Sequence, residues 1–157
     1  MGNNWKITDT LTKVFADEVP DGQGSIRLST LHRETVSCVI AYFGAADWGR
    51  YWKVSVKAPE KIETRLRRVE LVPSAYPCHK EQDDNYLRIV PGMYPDLLHD
   101  MDTEDDGADK KYLTKEVPGQ WRSLWLDVTV DAELAGGDYA IVIETETEDG
   151  EKETLKA

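Results

Sequence analysis

The sequence is poor in several residue types, and each shortage excludes a class of protein. Its 157 residues include two cysteines, too few for a disulfide framework, and we expect both to be free thiols. No apolar run approaches the roughly 20 residues that a membrane-spanning helix needs. Basic residues number 19 against 30 acidic ones, giving a net charge of −11. That charge argues against nucleic acid and against an anionic membrane as partners.

Motifs that carry chemistry are also scarce. The three histidines, His32, His79 and His99, lie far apart and lack the spacing of a zinc site. Gly136 and Gly137 precede a predicted strand rather than a helix, so they do not form a phosphate-binding loop. The sequence therefore predicts no cofactor, no metal site and no catalytic residue.

The acidic stretch 100–109 is the one segment that suggests a calcium site, because hard cations bind clustered carboxylates. A helix-loop-helix calcium template that starts at Asp102 places Leu113 where a bidentate glutamate is required. The stretch is therefore interpreted as a solvated acidic loop, and a calcium site of another kind stays open.

Short alternating segments separated by turn residues run along most of the chain, with almost no helical pattern. Asp149 and Gly150 are typical of a tight hairpin turn. About eight or nine strands predict an all-β fold, an antiparallel β-sandwich of immunoglobulin or jelly-roll type. The predicted strands are 11–16, 26–31, 36–43, 51–58, 65–72, 86–90, 124–130, 139–147 and 154–157.

Two segments carry information about surfaces. Residues 74–118 hold four of the seven prolines and little periodicity, which predicts one long irregular connection with a short strand at 86–90. In the segment 124–130, Leu124, Leu126 and Val128 share the core face. Trp125 stands on the opposite face, where we expect an interface with another domain.

Aromatic residues offer a second kind of surface, because sugar rings stack on exposed aromatic faces. Trp48, Tyr51 and Trp121 are the candidates for carbohydrate stacking. Packing in the core or beneath a loop is the alternative for each of them.

Several segments, in order along nearly the whole chain, resemble the N-terminal β-sandwich domain of glycoside hydrolase family 123 and its relatives. They are KVFADEVP at 13–20, RE and SCV within 33–39, VELVP at 69–73, GMYPDLL at 92–98, WLDVTV at 125–130 and AGGDY at 135–139.

The resemblance implies a division of labour. In that family the sandwich precedes a (β/α)₈ barrel, which carries a catalytic Asp–Glu pair and hydrolyses N-acetylgalactosaminides with help from the substrate's acetamido group. No residue of this chain matches that pair. We therefore expect residues 1–157 to form a single non-catalytic domain, the N-terminal part of a longer protein, with the C-terminal catalytic barrel of the same polypeptide as its partner.

The candidate residues for the domain interface, or for contact with a sugar, are Tyr94, Pro95, Asp96, Leu97, Trp125 and Tyr139. Two alternatives remain open, because a fold alone does not specify a function. One is a stand-alone carbohydrate-binding module that uses Trp48, Tyr51 and Trp121. The other is an immunoglobulin-like domain that binds protein. The N-terminus carries no visible secretory signal, which favours a cytoplasmic location.

Overall fold

The computed structural model of the chain describes residues 4–45, 49–81, 85–105 and 110–157. For Glu104, Asp105 and Lys110 it describes the backbone alone. Trp48, a candidate for carbohydrate stacking, and residues 106–109 of the acidic stretch lie outside the described residues.

Two five-stranded sheets pack face to face. The first sheet has the order β1-β2-β8-β4-β5, the second has the order β10-β9-β3-β7-β6, and neighbouring strands are antiparallel. The predicted antiparallel β-sandwich is confirmed. The strands are β1 (Trp5–Thr8), β2 (Thr35–Phe43), β3 (Tyr51–Lys57), β4 (Ile62–Ser74), β5 (Gly92–Asp100), β6 (Thr103–Asp105), β7 (Lys110–Lys115), β8 (Trp121–Val130), β9 (Val142–Thr147) and β10 (Lys152–Lys156).

The main core lies between the sheets because alternate residues of each strand point inward. Leu124 and Leu126 of β8 and Val54 of β3 are fully buried there, as their alternation predicts. Trp5 stacks on Tyr42 with ring centroids 4.8 Å apart. Both cysteines are free, and burial raises the pKa of Cys38 to about 12.

The predicted strand 11–16 is wrong. The first strand is instead β1, and the following residues 9–20, here called the covering segment, cross the outer face of the first sheet. Asp9 starts this segment with a turn, since its Oδ1 accepts hydrogen bonds from the N–H groups of Leu11 and Thr12. Val14 and Phe15 are neighbours in sequence and both are buried, which a strand with one covered face does not allow.

The predicted strand 26–31 is also wrong, although its alternation reflects real packing. Ile26 and Leu28 pack against the main core. The segment bonds to β10 at isolated points, such as the 2.9 Å hydrogen bond from Ile26 N–H to the Lys156 carbonyl. Because no partner strand runs alongside it continuously, the alternation of apolar and polar residues in 26–31 does not produce a ladder of backbone hydrogen bonds.

The long irregular connection predicted for 74–118 is wrong in extent. It holds β5, β6 and β7, whereas the predicted strand 86–90 is irregular. Residues 75–91 are here called the connection, and those of them that the structure describes, 75–81 and 85–91, are irregular. Sequence patterning missed β5 because it contains Pro95, which an edge strand tolerates, and because its register with β4 shifts between Glu70 and Leu71.

Candidate functional site

The outer faces of the two sheets differ in chemistry. On the second sheet, cross-strand ion pairs join Lys57 to Glu144 at 2.8 Å and Lys152 to Glu146 at 3.0 Å. Such exposed pairs are typical of a solvated face. The first sheet instead carries apolar side chains on its outer face, and the covering segment and the connection lie against it.

The covering segment is anchored by an apolar cluster on the first sheet. Val14 packs there with Val39, Ala41 and Trp121. Lys13 extends to the edge strand, where its Nζ donates a 3.2 Å hydrogen bond to the Pro95 carbonyl and lies 3.5 Å from Asp96 Oδ1. The segment therefore bridges the sheet from its centre to β5.

Arg88 fixes the connection to the covering segment. Its guanidinium carbon lies 3.9 Å from the ring centroid of Phe15, and its side chain is only 12% exposed. Nη2 donates a 2.8 Å hydrogen bond to Asp17 Oδ1 and a second hydrogen bond to the Glu18 carboxylate. The hydrogen bond with Asp17 is the main cause that raises the pKa of Arg88, and it also lowers the pKa of Asp17.

Tyr94 completes this arrangement from the strand side. Its ring meets Phe15 edge-on, with centroids 5.8 Å apart. Its hydroxyl donates a 2.6 Å hydrogen bond to the Val90 carbonyl and lies 3.3 Å from the Arg88 carbonyl. Arg88, Phe15 and Tyr94 thus form one stack that holds three chain segments together.

A cleft of about 500 Å³, here called the connection cleft, opens beside this stack. A smaller depression of about 160 Å³ adjoins it, shares Lys13, Pro95 and Asp96 with it, and reaches Trp125. The connection cleft is lined by Lys13, Phe15, Val72, Pro73, Ser74, Pro77, Asn85, Tyr86, Leu87, Arg88, Tyr94, Pro95 and Asp96.

Trp125 is held by a polar network on the sheet face. Its Nε1 donates a 2.7 Å hydrogen bond to Asp127 Oδ1, which also accepts one from Ser37 at 2.7 Å. Arg67 donates to the other carboxylate oxygen. Burial alone raises the pKa of Asp127, but the hydrogen bonds from Ser37 and Trp125 and the Arg67 charge outweigh it, so the pKa lies below its usual value.

The structure brings together most of the candidate interface residues. Tyr94, Pro95 and Asp96 line the connection cleft, and Trp125 lines the depression beside it. Leu97 is half exposed on β5 and lines neither. Tyr139 lies elsewhere, in a separate cleft of about 540 Å³, with its hydroxyl donating to the Ala135 carbonyl.

The candidates for carbohydrate stacking do not form a common surface. Trp121 is only 8% exposed and packs against Phe43 with ring centroids 5.4 Å apart. Tyr51 is 46% exposed on the second sheet, with Lys115 Nζ 5.5 Å from its ring centroid. Of the two stacking candidates that the structure describes, Tyr51 is therefore the one whose side chain is exposed.

Sequence reasoning missed the two residues that build the cleft, Phe15 and Arg88. Arg88 and Asp17 are 71 positions apart, so no local pattern links them. The one available signal was an arginine flanked by Tyr86, Leu87, Ile89 and Val90, which resembled a strand.

Exposed apolar side chains concentrate around this site. Thirteen large apolar side chains are exposed in the described part of the chain, and eight of them lie between residues 72 and 97. Exposed apolar side chains that concentrate in one segment indicate an interaction surface more often than scattered ones do. These eight, here called the apolar patch, are Val72, Tyr76, Tyr86, Leu87, Ile89, Val90, Met93 and Leu97.

Within 4–45, 49–81, 85–105 and 110–157, no three histidine, cysteine, aspartate or glutamate side chains come together in a way that could hold a metal ion. The described residues also contain no helix that is long and apolar enough to span a membrane.

Similarity to known proteins is found among solved structures. No protein-family model matches the sequence, and no curated protein matches it. Among solved structures, the fold is similar to a family 123 glycoside hydrolase from Clostridium perfringens, studied for the hydrolysis of glycolipid glycans, with a TM-score of 0.66 and 10% identity. The match covers 97% of this chain and 26% of that chain.

The chain thus has a fold similar to that of part of a family 123 glycoside hydrolase. It spans about a quarter of the length of the glycoside hydrolase that it matches. At 10% identity the similarity concerns the fold alone.

Proposed function

We propose that this chain is a non-catalytic β-sandwich domain of a glycoside-hydrolase-like protein, and that it supports a catalytic barrel in the same polypeptide. The observation that carries the proposal is the similarity to one quarter of a family 123 glycoside hydrolase, which extends over nearly all of this chain. A domain that matches only part of an enzyme is consistent with an accessory role.

The apolar patch is the surface that fits such a partner. It lies at the end of β4, on the connection and along β5, an edge strand of the first sheet. An edge strand beside an apolar surface is an aggregation hazard unless another element covers it. A second folded domain covers both at once, whereas the charged outer face of the second sheet requires no cover.

Among the described residues that line it, the connection cleft shows no pair of carboxyl groups for glycosidic acid–base chemistry. That chemistry usually requires two carboxyl groups flanking the scissile bond. Asp96 is the one acid among the described residues that line the cleft, and it faces the Lys13 ammonium at 3.5 Å. The chemistry therefore belongs to the barrel in this proposal.

Association in trans tests the proposal. The barrel encoded in the same polypeptide is expressed separately, mixed with this chain, and followed by sedimentation velocity. We expect a stable complex that is lost in the double variant Met93→Asp and Leu97→Asp. Leu31→Asp is the matched control, because Leu31 is also exposed but lies outside the apolar patch.

Two results would contradict the proposal. One is the absence of an encoded barrel, and the other is a complex that the double variant leaves intact. The apolar patch is also consistent with a domain that binds an unrelated protein, and the first of these results would favour that function.

A further inference from the structure

We propose that the connection cleft binds a neutral sugar ring at the margin of the docking surface. This inference rests on the proposed function, because a glycoside-hydrolase partner brings a glycan to this region. It names the residues of this chain that contact the glycan, which the proposed function does not.

The size and lining of the cleft fit a small polar ring. Its volume of about 500 Å³ lies within the roughly 300–1,000 Å³ of small-molecule sites. The ring of Tyr86 is 47% exposed, which leaves area for the C–H face of a sugar. Pro73, Pro77 and Pro95 add further rigid apolar lining.

The charges around the cleft favour a neutral ligand. Lys13 is paired with Asp96, and Arg88 is paired with Asp17 and Glu18. An ionic ligand has to compete with one of these pairs, whereas a neutral hydroxyl group does not. The side chains of Lys13 and Asp96 remain 45% and 75% exposed, so the ammonium can still donate to a sugar hydroxyl and the carboxylate can still accept from one.

The site is also largely formed before a ligand arrives. Tyr94 is fixed by its hydrogen bond to the Val90 carbonyl and by its contact with Phe15. Arg88 holds the connection in place over the covering segment. A preformed site loses little conformational freedom on binding, which matters for a ligand with weak intrinsic affinity.

Nuclear magnetic resonance titration of the whole chain tests the inference. The probes are N-acetylgalactosamine, N-acetylglucosamine and galactose, each raised to tens of millimolar, with backbone amide shifts as the readout. We expect shifts confined to 12–15, 72–77 and 85–97. Tyr86→Ala and Asp96→Asn weaken binding by roughly tenfold each, and Tyr86→Phe keeps it because stacking survives.

Matched controls separate the cleft from other aromatic surfaces. Tyr51→Ala and Tyr139→Ala remove exposed tyrosines elsewhere and leave binding unchanged. Tyr86 and Asp96 are exposed, so their variants remain folded, which an unchanged thermal unfolding midpoint verifies.

The two proposals fail separately. The absence of shifts with all three sugars, or shifts centred on Tyr51, overturns the sugar site and leaves the docking result standing. Loss of association with the barrel, combined with sugar binding at the connection cleft, overturns the accessory role and favours a stand-alone carbohydrate-binding module.

Discussion

Substitution of Arg88 by alanine is the sharpest test of how the docking surface is built. The change removes the guanidinium from the face of Phe15 and from the two acids of the covering segment. The carboxylates of Asp17 and Glu18 are largely exposed, so their ion pairs with Arg88 contribute little to stability. The stacked guanidinium is mostly buried, and such a contact is worth about 1–2 kcal/mol.

That magnitude predicts local opening rather than loss of the fold. Phe15, on which Arg88 stacks, is not part of the main core between the sheets. The free energy of global unfolding in urea is therefore expected to fall by about 1 kcal/mol or less. The free energy that keeps the connection closed falls by about 1–2 kcal/mol, which raises the open population roughly 5- to 30-fold.

Limited proteolysis with an enzyme that cleaves after aromatic residues measures the open population, because Tyr86, followed by Leu87, lies in the connection. Cleavage there is expected to accelerate by the same factor. Arg27→Ala is the control, because the ion pair between Arg27 and Asp138 is largely exposed and its removal is not expected to open the connection. Unchanged cleavage of Arg88→Ala, or a loss of global stability by several kcal/mol, would refute the reasoning.

Three further predictions concern stability. Glu116 is fully buried and accepts a 2.5 Å hydrogen bond from Trp52 Nε1, so Glu116→Ala should lower the free energy of unfolding in urea by about 1–3 kcal/mol, and Glu116→Gln, which keeps an acceptor, by less. Equal losses of unfolding free energy in the alanine and glutamine variants would contradict this explanation. Arg33 and Lys61 have φ values of 64° and 68°, in the left-handed region that favours glycine, so each change to glycine should stabilise the protein by about 0.5–1 kcal/mol in the same assay. Burial raises the pKa of Glu153 in the folded protein, so ionisation at neutral pH opposes folding. Glu153→Gln should therefore raise the melting temperature at pH 7. This gain should shrink as the pH falls through the raised pKa and disappear below the usual pKa of a glutamate; a gain that is independent of pH would rule out this cause.

Strands with a covered and an uncovered face were predictable from the sequence. Leu124, Trp125 and Leu126 alternate as the sandwich requires, and Gly150, with a φ of 82°, forms the turn of the β9–β10 hairpin that its sequence predicts. β5 was not predictable from local patterning. β5 is specified by its ladder with β4, and Pro95 hides it from local propensity.

The candidate site also contains residues that the sequence indicated and residues that it did not. Tyr94, Pro95 and Asp96 were selected through the family resemblance, and they line one cleft. Phe15 and Arg88 were missed because their roles arise only when the covering segment and the connection meet in space.

Hydrogen exchange of this chain, with and without the barrel of the same polypeptide, tests the central claim most directly. The account predicts that the barrel slows exchange in residues 72–97 and leaves exchange in β9 and β10 of the second sheet unchanged. Exchange that is unaffected in 72–97, or protection centred on the second sheet, would contradict it.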